Sequence, residues 1–123
     1  MSTWRRKALE LFPDLRPEIQ RGGTTIYTVF FDLLSRCQQA HRENNEEELR
    51  KIYGYAQWCF EQKAKDLWNA AGVAFYEHLV DQSETRDAMK KWITPQIFED
   101  IAVLLEFRIG SEEFAKLKKQ FYS

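Results

Sequence analysis

The sequence predicts an all-α protein, a compact bundle of six to seven helices, and three observations carry that prediction. Apolar residues recur at three- and four-residue spacing through most of the chain. Only three prolines and five glycines punctuate it. No segment sustains the alternation of a half-buried strand. "TTIYTVFF" has strand-like composition, but its periodicity continues helically through Cys37 and Ala40. Stacked helical hairpins in a solenoid-like packing would give a similar pattern, although no repeat signature is present.

The first helix is expected over Thr3 to Leu11. "FPDLRPEIQ" then turns, with Pro13 and Pro17 as breakers or helix-start residues, and Gly22-Gly23 is a loop. A second helix starts at a Thr24 or Thr25 cap and runs to His41. At about 100° per residue it carries Ile26, Val29, Phe30, Leu33, Leu34, Cys37 and Ala40 on one face. Asn45 is the expected cap of the third helix, with Glu48 completing a capping box and Glu46 and Glu47 at the positive end of the helix dipole. Leu49, Ile52, Tyr53, Ala56, Cys59 and Phe60 form its apolar stripe, and Gly54 falls on the far side. A fourth helix follows to Val80. Ser83 caps a short fifth helix ending near Trp92. Thr94-Pro95 starts a sixth, to Ile109, which buries Ile97, Phe98, Ile101, Leu104 and Leu105. Gly110 ends it, and Ser111 caps a last helix bearing Phe114, Leu117 and Phe121.

A chain of 123 residues, 44% hydrophobic and 15% aromatic, suits one domain over 1–123 with a real core. Eighteen basic and nineteen acidic side chains nearly cancel. That balance lacks the basic excess of a nucleic-acid binder. The first twenty residues lack the apolar stretch of a signal peptide, and no apolar run is long enough for a membrane span. A cytoplasmic location with Cys37 and Cys59 as buried free thiols is the resulting expectation; a single buried disulfide is the alternative.

"DLWNAAGVAFYEHLVDQ" raises the one obvious catalytic question, the Glu77-His78 pair. On a regular helix these side chains point about 100° apart and do not act together. Leu67, Ala71, Ala74 and His78 form one row, flanked by Trp68, Gly72, Phe75 and Leu79. Only Asn69 and Glu77 interrupt the apolar ring, so the helix is expected to be surrounded by others. His78 and Asn69 are therefore read as hydrogen-bonded polar groups of the core. No nucleotide, nucleophile, zinc or calcium motif is present, and the second histidine, His41, is distant. The expectation is a non-enzyme without cofactor, metal or catalytic residues.

Two features suggest a protein partner. Trp58 lies off the apolar stripe of its helix, bordered by Tyr55 and near Lys51, Gln62 and Glu47, with a notch at Gly54. Together with Glu47 and Glu48 at the helix start, Trp58 and Tyr55 form a candidate acid-plus-aromatic contact surface, suited to a basic cleft. Trp4, the glycine loop or another helix covering Trp58 is the alternative. Val103 and Phe107, one turn apart, also leave their stripe, as does Phe31. Packing on the last helix or a homodimer contact would account for the pair.

"LFPDLRPEI" and "NAAGVAFYEHL" resemble segments of small, uncharacterised all-helical bacterial proteins, some similar in style to immunity proteins found near secreted toxins. The resemblance implies a cytoplasmic helical domain that neutralises a toxin by occluding its active site, and carries over no catalytic residue. A homo-oligomeric structural or regulatory protein is the alternative function. A small-ligand binder or enzyme built on His78, Asn69 and Glu77 would need a pocket reaching the imidazole.

Overall fold

The computed structural model describes all 123 residues and contains helices and no strand. Helix α1 spans Thr3–Leu11. The two prolines then act as helix-start residues: Pro13 opens a 3-10 turn, Pro13–Leu15, and Pro17 lies in the first turn of α2, Arg16–Gln20. Helix α3, Ile26–Arg42, starts at Thr25, whose hydroxyl accepts from the Thr28 amide while Thr28 reciprocates. Helix α4, Glu46–Phe60, starts at Asn45, whose side chain accepts from the Glu48 amide at 3.2 Å. The capping box expected there is only half made. The Glu48 carboxylate turns instead toward Arg36, 3.7 Å away.

The expected fourth helix is the main departure. Regular α-helix α5 covers only Lys65–Ala70; a π turn follows over Ala71–Phe75 and a 3-10 segment over Tyr76–Asp81. Phe75 leaves helical geometry altogether (φ −128°, ψ −71°). A π turn holds more residues per turn than an α-helix and a 3-10 turn fewer. The 100° wheel therefore loses its phase across this stretch. Tyr76 and Val80 are buried, as a helix apolar nearly all round requires, whereas His78 comes to the edge.

The irregular segment stays helical because its neighbour satisfies its end. Helix α6, Ser83–Asp87, sends the buried Thr85 hydroxyl to the Leu79 carbonyl and the Arg86 guanidinium to the Val80 carbonyl at 2.9 Å. These are carbonyls the end of a helix leaves unpaired. Ser83 sits inside α6 and makes no side-chain cap. The expected fifth helix is two pieces, broken at Ala88, the second being α7, Met89–Trp92.

Helix α8, Pro95–Ile109, begins as expected with the Thr94 hydroxyl accepting from the Ile97 amide at 3.1 Å. Gly110, at φ +87°, ends α8 and is itself the residue preceding α9, Ser111–Phe121, so Ser111 does not cap.

Residues 71–81 run through the middle, with α3 and α4 against the π turn and α8 across both parts. Helix α1 lies on the other side of α4, and α9 packs on α8 and α7. Thirty-four buried apolar residues form one cluster. Aromatic rings link the layers: Phe30 lies 5.6 Å from Tyr55 and 5.9 Å from Phe75, Phe75 lies 5.8 Å from Tyr53, and Tyr53 stacks on Trp92 at 5.2 Å.

Cys37 and Cys59 are free and buried, as the sequence suggested. Burial pushes both thiols up to about 12, with the neighbouring Tyr53 and Tyr55 hydroxyls opposing that rise. A thiol held protonated and enclosed is unreactive. Native protein should give no reaction with Ellman's reagent over minutes, and urea-unfolded protein should titrate both thiols. Rapid native labelling would contradict the packing of α3 and α4.

Candidate functional site

Trp58 was the strongest candidate contact in the sequence, and the structure changes its setting. Tyr55 is fully buried, and its hydroxyl donates to the Trp4 carbonyl at 2.9 Å. Helix α1 packs on this second face of α4 and encloses it, which the single apolar stripe of α4 did not reveal. Tyr55 is therefore withdrawn as a contact residue. Trp58 is half-buried, stacked on Tyr55 at 6.2 Å with the Lys7 ammonium 5.6 Å from its ring centre. It borders a recess of about 340 Å³ beside Lys7, Arg50, Lys51, Gly54 and Glu61.

That recess is more basic than acidic. The three glutamates at the start of α4 each face a cation: Glu46 meets Lys91 and Arg50, Glu47 lies 3.8 Å from Lys51, and Glu48 lies 3.7 Å from Arg36. The Lys91 ammonium, donating to Glu46, holds that carboxyl below its ordinary range. The expected acid-plus-aromatic surface is thus divided. Glu47 remains exposed, Glu48 faces the α3 side with Arg36, and the aromatic group sits among lysines.

His78 is not enclosed by hydrocarbon. Its side chain is 24% exposed, and Nδ1 lies 3.0 Å from the Asp81 carboxylate. Arg108, at the end of α8, donates to both oxygens of Asp81, at 2.6 and 2.9 Å. The Arg108 hydrogen bonds, helped by His78, hold the Asp81 carboxyl below its usual value. This is a surface charge cluster clamping the end of the irregular segment to α8. His78 lines neither the recess beside Trp58 nor the one beside the Gly22-Gly23 loop nor the groove beside Trp68. Asn69 is half-buried as well, donating to the Tyr27 hydroxyl at 2.9 Å. It ties α5 to α3, a structural role at the margin of the core rather than within it.

The more deeply engaged imidazole is His41. Its Nε2 lies 2.8 Å from the Tyr53 hydroxyl, and its ring meets the Tyr53 ring edge-on at 5.8 Å. Burial holds it below its ordinary value near 6.5; Glu84 opposes this and Lys91 adds to it. A histidine with a depressed folded value leaves the unfolded chain binding the proton first. Stability should therefore be full above about pH 7 and decline as pH falls through 6.5 toward the folded value. Urea midpoints between pH 5 and 8 check this, and His41→Asn should flatten that slope.

The apolar surface lies elsewhere. Val103 is 79% exposed and Phe107 89% exposed, one turn apart on α8. They do not pack on α9, which covers the opposite side of α8 through Phe98. Leu104, their neighbour on the helix, lines a groove of about 250 Å³ with Trp68, Val73 and Gly72. Its Cδ1 lies 3.4 Å from the point a Cβ on Gly72 would occupy, so α8 packs closely on the π turn here. Trp68, placed by the sequence among core residues, is 39% exposed on the groove wall. Once α5 gives way to the π turn at Ala71, Trp68 no longer shares a buried row with Phe75. The residues sequence reasoning missed here are Trp68 and Leu104; the displaced pair Val103/Phe107 was the one signal pointing to them.

A recess of about 350 Å³ beside the Gly22-Gly23 loop is lined by Glu18, Asp32, Thr24 and Thr28 over Leu15, Ile19 and Val29. Burial raises the Asp32 carboxyl, Arg36 opposes this, and Glu18 and Asp14 add to it. No three His, Cys, Asp or Glu side chains converge as a metal set. No helix is long and apolar enough to cross a membrane.

These features define an all-helical domain with an exposed apolar face and with its histidines engaged by neighbouring side chains. Its family is a domain of unknown function, DUF7674, whose model matches residues 5–107, so the chain belongs to that family. No curated protein and no solved structure matches it. The matched stretch ends at Phe107 and leaves α9 outside.

Proposed function

We propose that the protein is a non-catalytic protein-binding domain whose contact surface is the α8 face around Val103, Leu104 and Phe107, continued by the Trp68 groove. The supporting observation is the exposure of Phe107, with Val103 one turn away and Leu104, next to Val103 in the chain, lining a recess. Contiguous exposed apolar area rimmed by charge marks an interaction site more often than chance. Asp100 on the groove wall and Glu106 supply that rim. A protruding aromatic side chain and a half-exposed tryptophan are the groups on which binding energy concentrates.

The more specific reading, a cytoplasmic bacterial immunity protein that occludes a toxin's active site, is supported by the resemblance of its two motifs. The position of the apolar face adds a surface through which it would act. Affinity capture from the native host, followed by titration of the purified partner, tests the surface. Phe107→Ser should weaken that binding by about 2 kcal/mol and change stability by less than about 0.5 kcal/mol, because the ring is solvated. Unchanged affinity would remove the face from the reading. Protection of host cells from the captured partner would support the immunity role; a harmless partner would count against it.

Self-association is the second reading, favoured by a protruding Phe107 and a Trp68 recess both contributed to by α8. In a two-fold dimer each ring would enter the other copy's groove. Sedimentation across a concentration series should then show a dimer that Phe107→Ser dissociates.

A further inference from the structure

We propose that the recess between α1 and α4 binds an acidic peptide segment of a partner protein, with an apolar side chain of that segment seated over Gly54 against Trp58. This surface is separate from the α8 face, and the inference stands without the function proposed for that face.

Charge selects the segment. Lys7, Arg50 and Lys51 line the recess against a single carboxylate, Glu61, which is already accepting from Gln57 at 3.4 Å. Arg50 and Lys51 have helical partners at i−4, Glu46 at 3.6 Å and Glu47 at 3.8 Å. Exposed pairs of this kind are weak and exchange readily for an incoming carboxylate. Lys7 has no anionic partner within ion-pairing distance; its ammonium rests over Trp58.

Shape selects the apolar anchor. A Cβ on Gly54 would meet nothing within 4 Å, so the helix backbone lies open there. Trp58 forms a fixed wall beside it, because its ring stacks on the buried Tyr55. A wall held in place costs little ordering on binding. Arg50 to Glu61 spans about 16 Å along α4, the reach of about five extended residues. The glycine also explains itself this way: in mid-helix it costs about 0.5–1 kcal/mol relative to alanine, and the fold here gives no packing reason for it.

A polyanion such as a nucleic acid fits less well. The chain carries a net charge of −1, and the recess offers three cations with an acid at one end, whereas phosphate binding draws on an extended basic surface.

Fluorescence anisotropy with a fluorescein-labelled hexapeptide, Glu-Asp-Leu-Asp-Glu-Asp, tests the proposal on the full chain. A Lys-Lys-Leu-Lys-Lys-Lys counterpart and a labelled single-stranded oligonucleotide serve as comparisons. The acidic peptide should bind saturably, and its affinity should fall with added salt. Lys51→Glu and Gly54→Leu should each weaken it about tenfold while circular dichroism keeps the helical signal, and Phe107→Ser should leave it unchanged. Equal binding of the basic peptide, tighter binding of the oligonucleotide, no saturable binding of the acidic peptide, or indifference to both Lys51→Glu and Gly54→Leu would overturn the assignment.

Discussion

Phe75→Ala should destabilise the protein by about 3–5 kcal/mol, the range for removing a fully enclosed aromatic ring. Phe75 touches Phe30, Tyr53 and Tyr76 with ring centres 5.4–5.9 Å apart. It also occupies the residue where the π turn gives way to the 3-10 segment. The cavity would open at the centre, between α3, α4 and residues 71–81, where no single element can move in to fill it. Since a domain of this size has a net stability of only about 5–15 kcal/mol, the variant should sit near the folding threshold. Urea denaturation followed by circular dichroism gives the value. A loss under about 1 kcal/mol would mean that the irregular segment relaxes freely and is not the central strut described here. Phe75→Leu, which keeps most of the volume, should recover more than half of the loss.

Phe121→Ala should release α9 while leaving the rest of the fold standing. Helix α9 docks through Phe114, Leu117 and Phe121, and Phe121 stacks on Phe98 with centres 4.1 Å apart. The expected cost is about 3 kcal/mol. At eleven residues α9 is too short to persist alone, so losing its anchor should unravel it locally. Hydrogen exchange should show protection lost over 111–121 and retained over α3, α4 and α8. Uniform loss across the whole chain would show instead that α9 folds as one cooperative unit with the core.

Much of the helical layout was legible from local signals. Asn45 and Thr94 cap the helices they were expected to cap, and Thr25 is the one of the two expected threonines that caps α3, because capping depends on a few adjacent residues and little else. The wheel worked for α3, a long regular helix, and for the main stripe of α4. It failed where the winding itself changed. Nothing in "NAAGVAFYEHL" announces a π turn, and the partners that meet this stretch, α8 at Gly72 and Thr85 and Arg86 at the Leu79 and Val80 carbonyls, come from elsewhere in the chain. His78 and Trp68 lie further out than the wheel placed them because the winding changes across this stretch.

The candidate surface was legible in part. Val103 and Phe107 stood out as misplaced apolar residues, and the structure leaves them uncovered. Trp58 stood out as well, but the charge around it was misjudged. Lys7 comes from α1, more than forty positions away in sequence, and a wheel drawn on α4 alone cannot include it.

Local pattern alone made legible the helical class, the starts of the long helices α3, α4 and α8, and the burial of both cysteines. Those properties follow from periodicity and from contacts within a turn or two. Which second face of each helix is covered was decided only by tertiary packing. Burial on that face depends on which neighbour arrives, as α1 does on Tyr55 and no helix does on Phe107, and no local pattern encodes an arrival.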